Sequence, residues 1–354
     1  MSLRAAPRHG PPLKILILGG TRFIGIHMTQ QAVARGHTVT LFNRGKTNAG
    51  RFSDLEQLIG DRDGQLDALK RRKWDAVIDN SGYVPRVVRL SAELLAPQVK
   101  HYVFVSTISV YPDFSVPRTE SSPVGTLSDP TVEKVDSETY GPLKVLCEEA
   151  VEASFAGRAT ILRPGLIVGP EDSTDRFTYW PARAARGGEI LTPGSATDGI
   201  QFIDARDLAA FTLDVIEQNT YGTFNALSPP GMFTMGDLMG SCVAAVNTLV
   251  KPTPPPRPLW VPAEFLQQQK VVPWVDMPVW SPATGDEAAF AKTSSAAAVK
   301  AGLRITSMIR TVSDTLVWHQ QRPEAERTKL KAGISPDREK EVLAAWQLAQ
   351  NQQQ

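Results

Sequence analysis

The chain runs to 354 residues, enough for one large domain or for a domain with a smaller companion. Hydrophobic residues make up 42% and charged residues 21%, the balance of a chain that folds over most of its length. Its 38 basic and 37 acidic side chains leave a formal net charge of +1 with no basic stripe, which speaks against a nucleic-acid partner.

Residues 1–12, with Arg4, Pro7, Arg8, Pro11 and Pro12, read as a disordered leader. The apolar run behind them is short and lacks a small-residue cleavage site, so it does not read as a signal peptide. No stretch approaches the roughly 18 apolar residues of a membrane span, and a soluble, cytoplasmic protein with no membrane partner is expected. Cys147 and Cys242 suit neither a disulfide framework nor a zinc site, so two buried thiols and no metal are expected.

Strand candidates follow at Lys14–Leu18, Thr38–Phe42, Ala76–Asp79, His101–Ser106 and Ala159–Arg163. Helical stretches at Ile24–Arg35, Arg86–Leu95 and Glu138–Phe155 lie between them. Strands alternating with helices predict an α/β fold with a parallel sheet covered on both faces. Val103-Phe104-Val105 is apolar without alternation, as a doubly covered strand requires. After Gly165 the texture changes: five prolines fall between 252 and 258, and six of the seven tryptophans lie in this half. Helical pieces at Ala205–Gln218, Met235–Leu249 and Ile309–Gln320 alternate with irregular segments. A smaller, irregular substrate-binding region over 166–199 and 227–335 is expected, with a C-terminal helix and tail at 336–354.

The first strand runs into Gly19-Gly20-Thr21-Arg22-Phe23-Ile24-Gly25 and then a helix. Gly19 permits the tight turn, Gly25 lets helix and strand pack closely, and free N–H groups at the helix start can take a pyrophosphate. Arg22 stands where a glycine of close pyrophosphate approach is expected; its cation suits a ligand with an extra phosphate. The second strand ends Phe42-Asn43-Arg44-Gly45-Lys46 without the carboxylate that takes the ribose hydroxyls of NAD. A carboxylate would repel a 2′-phosphate, whereas Arg44, Lys46 and Arg22 attract one, so NADP is favoured over NAD. Gly60-Asp61-Arg62 offers Asp61 to an adenine amino group, with Arg62 beside it. The small residues Asn80-Ser81-Gly82 at the sheet edge let a cofactor run past the backbone.

Tyr140-Gly141-Pro142-Leu143-Lys144 opens a helix, and residues four apart share a face. A neighbouring ammonium is expected to lower the phenol's pKa, suiting it to exchange a proton with an alcohol or carbonyl during hydride transfer. The strand before it delivers Ser106-Thr107, whose hydroxyls can meet the same substrate oxygen.

These motifs, in this order, resemble an extended short-chain dehydrogenase/reductase of the NAD-dependent epimerase/dehydratase family. The resemblance covers Lys14 to about Asn225 and rests on the glycine turn, Asp61, Ser106-Thr107 through Tyr111, Tyr140…Lys144, and Leu162-Arg163-Pro164-Gly165 through Gly169-Pro170. It implies a Rossmann-type doubly wound domain at 13–165, with 200–226 returning to it through Gln201-Phe202-Ile203-Asp204-Ala205-Arg206-Asp207. It implies Thr107, Tyr140 and Lys144 as a catalytic trio, with Lys144 also on the nicotinamide ribose and Pro164 to Ile167 along the nicotinamide. It implies a small-molecule substrate, a sugar or nucleotide-sugar, and a homodimer. Family dehydratases carry Asp-Glu after the threonine; Ile108-Ser109 stand there in this sequence, which speaks against dehydration. The Gly19–Gly25 turn and the Asn43–Lys46 loop also resemble a plastid branch of the family that binds RNA, in which the catalytic residues are degraded; Tyr140 and Lys144 are present here.

Of the remaining residues, His101 and His319 read as surface or satisfied histidines. Trp180, Trp274 and Trp280 are candidates for a pocket lining as well as for core. Asp172, Asp175 and Arg176 can meet substrate, or belong to a helix start capped by Ser173 or Thr174.

Overall fold

The computed structural model describes residues 10–352; nearly all of the leader expected at 1–12 lies outside the described residues. Strand β1 (Lys14–Leu18) leads to α1 (Ile24–Ala34), β2 (Thr38–Asn43), β3 (Glu56–Ile59), β4 (Trp74–Asp79) and α2 (Pro85–Leu95). Then come β5 (Val99–Val105), α3 (Tyr140–Ser154), β6 (Ala159–Pro164), β7 (Leu166–Val168), α4 (Tyr179–Ala185), β8 (Gly188–Pro193), β9 (Gly199–Ile200) and β10 (Phe202–Asp204). The chain continues through α5 (Ala205–Glu217), β11 (Gly222–Ala226), β12 (Phe233–Thr234), α6 (Met235–Leu249), β13 (Pro256–Val261) and α7 (Ala263–Gln268). It ends with α8 (Ala296–Lys300), α9 (Met308–Gln320), α10 (Glu324–Thr328) and α11 (Pro336–Asn351).

Seven strands form one sheet in the order β11-β6-β5-β4-β1-β2-β3, with every pair parallel. Ile15 to Leu18 and Val103 to Phe104 are fully buried, so these strands show no alternation because helices cover both faces. On one face α1 packs on α5; on the other α2 packs on α3. The strand order reverses between β1 and β4, and the carboxyl ends of these strands border the crevice where doubly wound folds bind ligands. A separate core, built on Phe177, Trp180, Phe202, Trp280 and Leu316, holds α4, α6 and α9 together with the β8–β13 pair. Ala298 and Leu303, inside the span expected to be substrate-binding, pack instead into the core shared by α1 and α5. Among the described residues, no helix is long and apolar enough to cross a membrane.

The boundaries differ from the sequence reading at particular places. Helix α3 begins at Tyr140 rather than Glu138, because the Asp136 carboxylate accepts the backbone N–H groups of Glu138 and Thr139, each at 3.1 Å. The Thr139 N–H, then the Lys134 and Thr139 side chains, with a smaller share from the Glu138 N–H, hold the Asp136 pKa down to about 2. Neither Ser173 nor Thr174 caps α4: Thr178 stands at its N-cap with no side-chain bond, and Thr174 donates to Asp172.

His101 is buried inside the sheet rather than on the surface. Its Nε2 lies 2.7 Å from Thr160 Oγ1, and that hydroxyl donates to the Thr220 carbonyl, so Nε2 carries the proton. Nδ1 is buried without a partner among the described residues, and burial lowers the pKa to about 4. Because the folded value lies below the unfolded one, stability is expected to fall as pH drops from about 6.5 toward 4, by up to about 3 kcal/mol. Urea midpoints across that range, in wild type and His101→Gln, check it: the variant should show a shallower slope, with the remainder carried by groups such as His27 and His319, whose pKa values burial also lowers.

Candidate active site

Two cavities meet at the carboxyl edge of the sheet. The first, about 630 Å³, is lined by the glycine turn, the end of β2, Gly60 to Arg62, Asn80 and Ser81. Gly19 and Gly20 have φ of 111° and 96°, which residues with a side chain rarely adopt. A Cβ on Gly25 would stand 2.7 Å from Gly20 Cα, so the close approach of helix to turn requires glycine. Helix α1 has no side-chain cap and no acidic residue in its first turn; the N–H groups of Gly25 and Ile26 return to the Arg22 and Phe23 carbonyls at 3.0 and 2.9 Å, so what the helix start offers an anion is the positive end of its dipole. Phe23 carries the turn at φ 41° and lines both cavities.

Arg22 reaches across the mouth to Ser173 Oγ at 3.2 Å, and Arg51 pairs with Glu171 at 2.8 Å; both tie the 171–173 loop to the mouth of the cavity. Thr21 is buried, its carbonyl held by Asn48 at 2.8 Å, and Ile24 also lines the cavity. Asn43 Oδ1 accepts the Gly45 N–H at 2.7 Å and shapes the turn that presents Arg44 and Lys46 to the cavity. Neither cation has a carboxylate partner among the described residues. Asp61 lines the same wall.

Arg62 departs from the expectation. Its guanidinium is engaged by Asp79 at 2.6 and 2.7 Å and by Ser91 at 2.7 Å. It therefore holds β4 rather than reaching out to a nucleotide. Asp79, fully buried, also accepts from the Tyr102 hydroxyl at 2.7 Å.

The second cavity, about 610 Å³, shares Phe23, Ile167 and Thr174 with the first and contains Thr107, Tyr140, Pro164, Arg176 and Glu287. Burial raises the Tyr140 pKa, and a hydrogen bond with Thr107 opposes the rise, with a smaller contribution from the Arg176 charge. Thr107 Oγ1 is itself oriented by the Ser109 N–H at 3.1 Å. Lys144 lies beneath, donating to the carbonyls of Gly82 and Val105 at 2.6 and 2.7 Å. A Cβ on Gly82 would stand 2.6 Å from Val88 Cγ2, so only glycine brings that carbonyl within reach. Desolvation lowers the Lys144 pKa to about 8. The expected lowering of the phenol's pKa by Lys144 is thus not the state of this structure: two of the ammonium hydrogens serve the backbone, and burial dominates Tyr140.

Ser106 is also committed elsewhere. Its hydroxyl donates to Glu148, which is paired with Arg163 at 2.6 Å; Arg163 holds the Tyr111 hydroxyl at 3.0 Å, and that hydroxyl donates to Asn225 at 2.7 Å. This buried network joins β5, β6, α3 and β11 under the site. Of the three tryptophans, Trp274 lines the second cavity. Trp180 and Trp280 are core, their indole N–H groups donating to the Pro278 carbonyl and to Asp198. Asp175 is likewise taken up, by Arg322 at 2.7 Å. Sequence reading passed over Glu287, Phe114 and Phe290, which reach the second cavity from distant loops and carry no local motif. Among the described residues, no group of three or more His, Cys, Asp or Glu side chains could hold a metal ion.

A doubly wound sheet with a glycine turn at its switch point defines a dinucleotide-binding class of fold. Residues 15–226 match the NAD dependent epimerase/dehydratase family, and the chain belongs to that family. The chloroplast stem-loop binding protein of 41 kDa b from Arabidopsis thaliana is 30% identical over 251 residues, 66% of this chain and 63% of the relative, so less than two thirds of that relative's length is matched. The human epimerase family protein SDR39U1 is 27% identical over 61% of this chain and 75% of its own. Among solved structures, the Bordetella bronchiseptica enzyme WbmH in complex with NAD+ shares the fold with a TM-score of 0.62 at 15% identity, over 88% of this chain and 99% of WbmH. A UDP-glucose 4-epimerase does so at 0.61 and 17%, over 88% and 98% of the two chains.

Proposed function

We propose that the chain is an NAD(P)-dependent epimerase or oxidoreductase acting on a secondary alcohol or ketone of a sugar or nucleotide-sugar. One observation carries this reading: the cavity under the glycine turn joins, at Phe23 and Ile167, the cavity that holds Tyr140 and Thr107. The glycine cradle and the uncapped start of α1 fit a pyrophosphate, with Pro164 and Ile167 toward the reactive ring. A nicotinamide bound there would supply or accept the hydride. The chain's own residues handle the proton and the substrate oxygen. Thr107, which lines the same cavity as Tyr140, would hold the oxygen; Tyr140 gives or takes its proton. Lys144, its pKa lowered by burial to about 8, lies under the site with its ammonium held by the Gly82 and Val105 carbonyls. The absence of carboxylates at 108 and 109 leaves no pair for dehydration.

NADP is favoured over NAD because Arg44 and Lys46 line the adenosine end without a carboxylate partner. NAD is the cofactor named for WbmH. The double variant Arg44→Ala/Lys46→Ala is expected to lose about tenfold to hundredfold in NADP affinity while NAD binding changes little, read by nucleotide fluorescence titration. Mass spectrometry of nucleotide extracted from purified protein tests the whole reading: NAD or NADP retained supports an epimerase. Protein that carries no nucleotide and binds neither on titration removes the assignment.

Two other readings have a specific observation behind them. Phe114, Trp274 and Phe290 in the second cavity suit a flat substrate, an aromatic ketone, and a carbonyl panel distinguishes it from sugars. Similarity to the stem-loop binding protein suggests RNA binding, opposed by the net charge of +1; salt-sensitive RNA affinity that survives Tyr140→Phe would favour it.

A further inference from the structure

Among the described residues, Arg176 is the one cation in the lining of the cavity that holds Tyr140 and Thr107. It is partly buried rather than exposed. Its Nε donates to the Thr174 hydroxyl at 3.2 Å, and its two terminal amino groups have no partner among the described residues. Other arginines inside the protein are committed. Arg62, Arg163, Arg183 and Arg206 each hold a carboxylate, and Arg118 donates to the carbonyls of Ala289 and Phe290. A guanidinium withdrawn from water without such a partner is costly, and burial lowers the Arg176 pKa accordingly. The charge of Asp172 opposes that lowering from a distance, but both Asp172 oxygens are taken by Thr174, through its N–H and its hydroxyl, each at 2.9 Å. Glu287, the acid in the same lining, is acted on by Arg118 and Asp286.

Two loops hold the cation in place. Asp175, just before it, has φ 63° and is anchored by Arg322 at 2.7 Å and by the Lys331 N–H at 3.1 Å. Trp274 has φ 66°, with its N–H donating to the Trp280 carbonyl at 3.1 Å. Residues with side chains rarely keep such a backbone unless their surroundings impose it. The Arg176 guanidinium carbon then lies 5.9 Å from the centroid of the Trp274 ring. From this position its charge reaches the Tyr140 hydroxyl, so a group bound to it lies near the reacting oxygen.

We propose that the substrate carries an oxyanion, a carboxylate or a phosphate, close to the carbon that exchanges hydride, and that the terminal amino groups of Arg176 bind it. The inference rests on the function proposed above and narrows it from any secondary alcohol or ketone to an acidic one. A guanidinium matches two oxygens of either group in a bidentate pair.

The test uses the full chain and two sets of matched compounds. Hydroxyacetone, pyruvate and dihydroxyacetone phosphate are small ketones that are neutral, carboxylate and phosphate in turn; glucose, glucuronate and glucose 6-phosphate are the corresponding sugars. Ligand-observed NMR at matched ionic strength, with NAD or NADP present, reads their binding. At least one anionic member should bind about tenfold to hundredfold more tightly than its neutral counterpart, and whether the carboxylate or the phosphate does so identifies the group. Arg176→Gln should abolish that preference, and Arg176→Lys, which keeps the charge without the fork, should restore only part of it. Nucleotide affinity should be equal in the three proteins, because Arg176 is not in the lining of the first cavity; this also reports that the variants are folded. No anion preference in wild type that binds nucleotide, or a preference that survives Arg176→Gln, overturns this inference and leaves the cofactor reading standing. Wild type that binds no nucleotide overturns both.

Discussion

Tyr140→Phe is expected to lower kcat by about 10²- to 10⁴-fold, the range for losing a positioned proton-transfer group, with nucleotide binding unchanged. The substitution keeps the ring and its packing against Tyr83, whose centroid lies 6.4 Å away, and removes only the hydroxyl. Nucleotide binding should survive because the turn, α1 and the β2 loop supply the first cavity without Tyr140. The hydroxyl sits in a buried setting that raises its pKa, so in the resting protein it is a phenol. A phenol can donate to a carbonyl oxygen directly; to accept from an alcohol it must first lose its proton, which the Arg176 charge favours electrostatically. Turnover in the reduction direction should therefore be less sensitive to pH than oxidation. Steady-state kinetics with one ketone and its alcohol read both effects. If Tyr140→Phe retains activity within a few fold, proton transfer does not pass through this residue, and the family resemblance extends to the fold without the chemistry.

The parts of the fold that depend on local pattern were legible in the residues. Apolar runs such as Ile15 to Leu18 announce strands covered on both faces, and Gly19 to Gly25 announces the turn, because each requirement is met within a few adjacent positions. The short strand β3, whose Glu56 and Gln57 break the apolar run, marks where the pattern weakens at a sheet edge. Commitments made across long distances were not legible. Arg62 reads as a free cation until β4 brings Asp79 to it, and Ser106 reads as a site hydroxyl until α3 brings Glu148. Lys144 and Tyr140 do share a helix face, as their spacing demands. What their spacing cannot show is that Gly82 and Val105 present carbonyls to the ammonium first. The second cavity is the least legible part, since Arg176, Trp274, Glu287 and Phe290 converge from separate loops.

Asp79→Ala is expected to destabilise the chain by about 3–5 kcal/mol, the cost of removing one partner from a buried ion pair. The side chain of Asp79 is fully buried and that of Arg62 only 11% exposed, so the guanidinium would be left with Ser91 and Ser81 while the Tyr102 hydroxyl loses its acceptor. Arg62→Leu alone should also destabilise, by leaving a buried carboxylate that only Tyr102 and the Ser81 N–H, at 3.2 Å, can bond. The double variant Asp79→Leu/Arg62→Leu should cost much less than the sum of the two single losses, because no unpaired charge remains; the difference is the coupling of the pair. Urea midpoints on the four proteins measure it. The same set decides what Arg62 is for. If Asp79→Ala costs less than about 1 kcal/mol, the pair is not the strong commitment its geometry implies, and the guanidinium is free to turn to a nucleotide phosphate. If the large cost is found, nucleotide affinity in the double variant should stay close to that of the wild type, since Arg62 lines the cavity but its charge is taken up by Asp79.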